Sequence, residues 1–166
     1  MLKKVSVLLI IVFLFTLVGC SKGTKTEDNK VEYSCIKKGI QQHSKVTDDD
    51  YVEDVLNYAK LDENGKLVYY KHHYTYYYES VDRCNYWCDL KTDWSNNINA
   101  KVTDGHKRIT TCSCENDKKV EEIYEYNDIP NLSSLTRTDI PELKNDNTFD
   151  LETWINKYEK INYNCK

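Results

Sequence analysis

Seven cysteines, four histidines and fourteen tyrosines carry most of the chemistry open to this 166-residue chain. Four cysteines form two close pairs, Cys84-x3-Cys88 and Cys112-x-Cys114. Thiolates so spaced can bind zinc, cycle as a redox pair or form structural disulfides. The zinc reading lacks support, because no further metal-site residues frame either pair. A redox pair at Cys112 and Cys114 needs a helix N-terminus or a cation to lower a thiol pKa. The flanking Thr111 and Glu115 supply neither. Structural bridges are therefore the expectation, and Cys35 and Cys165 complete an even six.

The second chemical feature is an aromatic strand. In the run from Leu67 to Tyr78, Tyr70, His72, Tyr74, Tyr76 and Tyr78 share one face, and Tyr69, Lys71, His73, Thr75 and Tyr77 share the other. A ladder of tyrosines offers flat area and hydroxyls together, and an exposed one suits a sugar or a peptide. The competing reading packs one tyrosine face beneath helices. His72 and His73 point to opposite faces, so they make a poor metal site without a distant His43 or His106. There is no Gly-rich phosphate loop, no nucleophile elbow and no zinc-protease motif. No catalytic residue, metal or cofactor is assigned, and an enzyme is the less favoured reading.

The compartment is set by the first twenty residues. Lys3 and Lys4 precede an apolar run from Val5 to Val18, broken only by Ser6 and Thr16, and the first acidic residue is Glu27. Charge, then a greasy core, then small residues is the order of a secretory signal. The run is shorter than the roughly 20 residues of a spanning helix. It ends in Leu17-Val18-Gly19-Cys20, which resembles a bacterial lipobox. That resemblance implies cleavage after residue 19 and lipidation of Cys20, which then anchors the chain to the membrane. Residues 20–30 read as the lipidated cysteine and a polar tether. Residues 31–166 read as one extracytoplasmic domain. Loss of Lys3 and Lys4 leaves 21 basic against 27 acidic residues, a net charge of −6. That balance argues against nucleic acid as a partner, which wants a basic face. The partners expected are the membrane, through the lipid, and an envelope protein, peptide or glycan.

The elements that must position these groups follow from periodicity. Val31, Tyr33 and Cys35 alternate as a strand with Gly39 as its expected end, and Ile40 to Val46 read as a weak strand or loop. Thr47 to Asp50 is a turn. Tyr51 to Leu61 fits helix or strand. The tight Asp62-Glu63-Asn64-Gly65-Lys66 turn favours a hairpin with the tyrosine strand. Glu79 to Trp94 shifts to helical period, capped by Ser80 or Asp82 and ended by Ser95-Asn96-Asn97. Ala100 to Thr103 and His106 to Cys114 read as strands, as does Val120 to Tyr126. Cys84 and Cys88 then share a helix face, and Cys112 and Cys114 a strand face. Two bridges of unspecified order staple helix to sheet, and Cys35–Cys165 closes the domain. Residues 127–148 are loop pinned by Leu132, Leu135, Ile140 and Leu143. Phe149 to Ile161 is a helix capped by Asp150, with Leu151, Trp154, Ile155 and Tyr158 as its apolar stripe. The fold class is α+β: an antiparallel sheet packed against two helices and stapled by disulfides.

The layout resembles small lipoproteins of low-GC Gram-positive bacteria, including the YehR-like group. The resemblance rests on Leu17-Val18-Gly19-Cys20, Tyr33-Ser34-Cys35, the Asn64-Gly65-Lys66 tip and the closing Tyr163-Asn164-Cys165. It implies an α+β fold and membrane attachment, and no catalytic residue or substrate.

Overall fold

The computed structural model describes Thr24–Lys25 and residues 30–166. The lipobox, Cys20 and most of the tether lie outside the described residues. The described strands are β1 (Thr24–Lys25), β2 (Val31–Ser44), β3 (Asp49–Leu61), β4 (Leu67–Tyr78), β5 (His106–Ser113), β6 (Lys119–Tyr126) and β7 (Asn164–Cys165). They form one antiparallel sheet in the order β1-β2-β3-β4-β6-β5, with β7 added on β2. The helices are α1 (Val81–Asn99), α2 (Cys114–Asp117), α3 (Ser134–Arg137) and α4 (Leu151–Glu159), with a 3-10 turn at Ile129–Asn131. The class is α+β, with α1 and α4 as the two long helices.

Residues 31–44 make one strand rather than two. Gly39 adopts φ 68°, the register shifts between Lys37 and Ile40, and the Gly39 N–H donates to Asp54 Oδ1 at 2.7 Å. A bulge at glycine lets the strand bend and continue instead of ending. Residues 49–61 are strand, as the hairpin turn indicates. That turn is held by Asp62 Oδ1, which accepts from the Asn64 and Lys66 N–H groups, each at 2.9 Å.

Helix α1 starts where expected, with the Ser80 hydroxyl accepting from Arg83 N at 3.2 Å. It then runs past the predicted stop to Asn99. Its last turns are polar because they dock on the edge of β5. Ser95 Oγ meets Thr110 Oγ1 at 2.6 Å. The Asn99 side chain accepts from Arg108 N at 2.9 Å and donates to Arg108 O at 2.6 Å. One amide side chain thus stands in for a neighbouring strand and blocks an edge that could otherwise template pairing. Ala100 consequently caps the helix, so the strand expected over residues 100–103 is not formed.

Strand β5 also ends one residue early. Cys114 opens the single turn α2, and Lys118 closes it at φ 50°. In the loop after β6, Ile140 and Leu132 are buried and Leu143 packs against the core, as expected. Leu135 instead is 79% exposed. It sits on α3, whose neighbouring Arg137 turns inward, donating from Nη1 to Asn147 Oδ1 at 2.9 Å and from Nη2 to Lys144 O at 2.6 Å.

Two cores form at opposite ends of one sheet face. The larger joins Cys35, Ala59, Tyr70 and Tyr126 to Phe149, Trp154 and Tyr158, beneath α4. Trp154 is fully buried, and its Nε1–H donates to the Tyr70 hydroxyl at 3.1 Å. The smaller joins Tyr78, Cys84, Cys114 and Val120, beneath α1. Strand β7 ties the C-terminus to β2 through the Cys35–Cys165 bridge and through Ser34 and Lys166, whose backbones exchange bonds of 2.8 and 2.9 Å.

That bridge spans 130 residues, and the chain-entropy cost it removes from folding has an upper bound of about 5 kcal/mol. The C35S/C165S variant is expected to lose more stability in urea unfolding than C88S/C112S, whose loop spans 24 residues inside the 30-residue Cys84–Cys114 loop. The opposite order would contradict this ranking.

Candidate functional site

The five ladder residues separate into buried and accessible. Cross-strand pairing places Tyr70, His72, Tyr74, Tyr76 and Tyr78 opposite Ala59, Asn57, Val55, Glu53 and Tyr51. Tyr70 is 1% and Tyr78 6% exposed, each inside one of the two cores. Both are packing residues: Trp154 lies edge-on to the first, and Trp87 stacks on the second at 6.4 Å. His72 is half-buried, as Tyr74 and Tyr76 are, but its ring is engaged. Its Nδ1 meets Asn57 Oδ1 at 2.5 Å, and its ring lies edge-on to Tyr70 at 4.8 Å. Burial lowers its pKa to about 4 against a hydrogen bond to the Asp139 backbone that raises it, so the ring is neutral at pH 7. Tyr74 and Tyr76 remain, half-buried, in the gap between α1 and α4.

The gap is aromatic. Tyr74 stacks on Tyr76 at 6.3 Å and 13°, and meets Tyr124 edge-on at 5.9 Å. Tyr51 continues the series, 5.9 Å from both Tyr76 and Tyr78. Burial raises the pKa of Tyr74 and Tyr76, so their hydroxyls stay protonated; that of Tyr76 already bonds the Glu122 side chain. At one end lies a small pocket of about 70 Å³, lined by Ser44, Tyr51, Tyr76, Tyr78, Trp87 and Lys91. Trp87 is one of the lining residues, and its Nε1 is buried without a hydrogen-bond partner among the described residues.

Beneath the rings lies a buried charge cluster. Glu122 is 2% exposed. It accepts from Lys91 Nζ at 2.5 Å, from Arg108 Nε at 3.0 Å and from Arg108 Nη2. Burial by itself raises the Glu122 pKa, but Lys91 and Arg108 outweigh it and hold the carboxyl below the ordinary range. The two cations are also roofed by rings. Lys91 Nζ lies 3.8 Å from the Tyr76 centroid, and the Arg108 guanidinium lies 4.8 Å from Tyr124 and 5.5 Å from Trp94. Glu53, at the gap, accepts from Gln42 Nε2 at 3.2 Å. Burial raises its pKa against that bond.

All six domain cysteines are bridged. Cys84 joins Cys114, Cys88 joins Cys112, and Cys35 joins Cys165, with S–S distances of 2.01, 2.09 and 2.02 Å. Helix and sheet are stapled as expected, and the order left open is now assigned. Cys114 sits on α2 rather than on the strand. Of the histidines, His73 faces Glu121 on the outer face at 3.4 Å, and His106 stacks on Tyr126 at 4.8 Å. Among the described residues no group of three or more His, Cys, Asp or Glu side chains could hold a metal ion. A hollow of about 380 Å³ near the β2–β3 turn is lined by His43, Asp48, Asp49, Asp50, Glu79, Ser80 and Arg83. His43 already bonds Asp50 there at 2.8 Å, and Arg83 approaches Asp49 at 3.8 Å.

Sequence reasoning missed the partners of the ladder, namely Glu53, Lys91, Arg108, Glu122 and Tyr124. A signal existed for two of them. Glu122 falls in the alternating set Val120, Tyr124, Tyr126, and Lys91 falls in the helical stripe of Val81, Cys84 and Cys88. An acid and a base at core positions of facing elements point to a buried pair.

Comparison of the chain with protein-family models, with curated proteins and with solved structures gave no match.

Two outcomes follow. His72 has a folded-state pKa below its ordinary 6.5, so its neutral ring contributes stability that is complete above pH 6.5 and is lost as pH falls toward 4. That contribution is about 3 kcal/mol at most. Between pH 7 and pH 4 the native chain is expected to lose more stability in urea than H72Q, and parallel losses would contradict the buried neutral ring. E122Q, which leaves Lys91 and Arg108 uncompensated, is expected to cost about 3–5 kcal/mol in the same measurement. A cost below 1 kcal/mol would show that the cluster is hydrated.

Proposed function

We propose that this chain is an extracytoplasmic lipoprotein of the cell membrane and that its domain is a non-enzymatic binding module of the cell envelope. Residues 1–19 are the signal, Cys20 carries the lipid, residues 21–30 are the tether, and kinship with the YehR-like lipoproteins belongs to the same proposal. The three bridges support an oxidising compartment. Among the described residues no helix is long and apolar enough to cross a membrane. The lipid on Cys20 is the attachment this reading names.

One observation carries the binding role. Tyr74 and Tyr76 are left half-buried, Tyr76 at the margin of the smaller core, and each contacts a further ring. Aromatic area with protonated hydroxyls, held on a rigid sheet, is the chemistry of a recognition surface. A thiol–disulfide role would use Cys112 and Cys114 as a mutual pair, whereas each is tied to α1 instead.

Cell fractionation and sedimentation test this. The native chain is expected to stay with membranes until detergent is added, and C20A to leave them. Equal membrane association of C20A would contradict the anchor. Full-length protein in detergent is expected to co-sediment with isolated envelope material, with Y74A reducing the bound fraction at least tenfold. Unchanged sedimentation of Y74A would contradict the site.

A further inference from the structure

The aromatic gap has a shape and a charge balance that narrow its ligand. From Tyr124 the rings run through Tyr74, Tyr76, Tyr51 and Tyr78 to Trp87, with successive centroids 5.9 to 6.4 Å apart. Tyr78 is buried and the others are half-buried. A run of neighbouring aromatic rings edged with hydroxyls suits a chain of units that each present an apolar face and a polar rim. Sugar rings have that character.

The charges argue against an ionic ligand. Lys91 and Arg108 are both committed to Glu122 and roofed by rings, so an anion would find no free cation among them. Of the other charged groups near the rings, Asp49 and Asp139 are acidic as well, and Glu53 is already held by Gln42. That side-chain pair, a carboxylate beside an amide, can accept from and donate to adjacent hydroxyls. A neutral, hydroxyl-bearing ligand leaves no buried charge unmatched.

The pocket at the Trp87 end adds selectivity. Its 70 Å³ admits a group of a few heavy atoms. Four of its six lining residues are aromatic, which favours an apolar part in the entering group. Trp87 Nε1–H is a donor only, buried and without a partner among the described residues, and calls for an acceptor oxygen. A bare hydroxyl satisfies the donor but leaves the rings unfilled, and a methyl alone fills the rings but leaves the donor unpaired. An acetamido group supplies methyl and carbonyl together.

We infer that the gap binds a neutral glycan bearing N-acetyl groups, with one acetamido group in the Ser44/Tyr51/Tyr76/Tyr78/Trp87/Lys91 pocket. This rests on the binding role proposed above and names its ligand class. Ring faces of Tyr74, Tyr76 and Tyr124 carry the sugar rings, and Trp87 Nε1 donates to the acetamido oxygen.

The test uses the full-length protein in a non-glycosidic detergent, titrated with a β-1,4-linked tetramer of N-acetylglucosamine and, separately, with cellotetraose. Both are followed by calorimetry and tryptophan fluorescence. The acetylated tetramer is expected to bind saturably, and cellotetraose at least tenfold more weakly. W87F keeps a ring against Tyr78 and removes the donor. It should weaken the acetylated tetramer about tenfold and leave cellotetraose unchanged. Q42A, at an exposed position that cannot unfold the chain, should weaken both sugars. Equal binding of the two tetramers, or equal weakening of both by W87F, would overturn the pocket assignment. Absence of binding by either tetramer would overturn the glycan. If envelope sedimentation then remained Tyr74-dependent and became protease-sensitive, the site would stand with a protein as its ligand. If it did not depend on Tyr74, the binding role would fall as well.

Discussion

Helix α1 lacks the apolar stripe by which a helix ordinarily docks. Its buried residues are Cys84, Lys91 and Ser95. Hydrophobic burial at roughly 25 cal/mol per Å² has little to act on there. Covalent and ionic contacts hold it instead: two disulfides near its start, the Lys91–Glu122 pair at its middle, and the Ser95 and Asn99 side chains on the edge of β5. The disulfides are the contacts on which the others depend. A buried charge pair is seldom a net source of stability, since desolvation offsets the attraction. With α1 already pinned, the same pair fixes the register of helix on sheet. The two bridges are nested, one loop inside the other. The inner one therefore restricts the unfolded chain less than its loop length alone suggests.

This arrangement explains why the middle of the sheet stays open. Helix α1 lies mainly over β5 and builds the core around Tyr78 and Val120. Helix α4 is nine residues long and builds the other core around Trp154 and Tyr70. Between them, Tyr74 meets the sheet rings Tyr76 and Tyr124. The same face thus carries packing residues at its two ends and accessible rings between them. The ladder is scaffold at Tyr70, His72 and Tyr78 and surface at Tyr74 and Tyr76. The bound positions of α1 and α4 give those rings a fixed frame, which lowers the ordering cost of recognition.

Much of the architecture was legible before any coordinates. Local turn chemistry at Asp62 to Lys66 announces the hairpin, and the shared faces of the two cysteine pairs announce the staple. What was not legible depended on long-range contacts. Gly39 reads as a stop because nothing local reveals Asp54 waiting to receive its N–H. Asn96 and Asn97 read as a helix end because nothing local reveals the β5 edge that Asn99 must cover. Leu135 reads as an anchor because its hydrophobicity is visible and the inward turn of Arg137 is not. At the site, alternation correctly grouped five residues on one face. It could not say which of them the two helices would cover. Nor could it show that Glu122 had partners on another strand and on a helix.

The central claim is that two disulfides, rather than an apolar stripe, fix α1 on the sheet and so leave the tyrosine gap open. Mass-spectrometric disulfide mapping of the full-length protein, with free thiols blocked before digestion, tests it most directly. Cleavage after Tyr86 or Trp87 separates Cys84 from Cys88, and fragmentation across Ser113 separates Cys112 from Cys114. The account predicts cross-linked peptides joining Cys84 to Cys114, Cys88 to Cys112 and Cys35 to Cys165, with no free thiol among the six. A Cys112–Cys114 or Cys84–Cys88 bond, or blocked thiols at these positions, would mean that α1 is held by some other means, and the account of the open gap would fail with it.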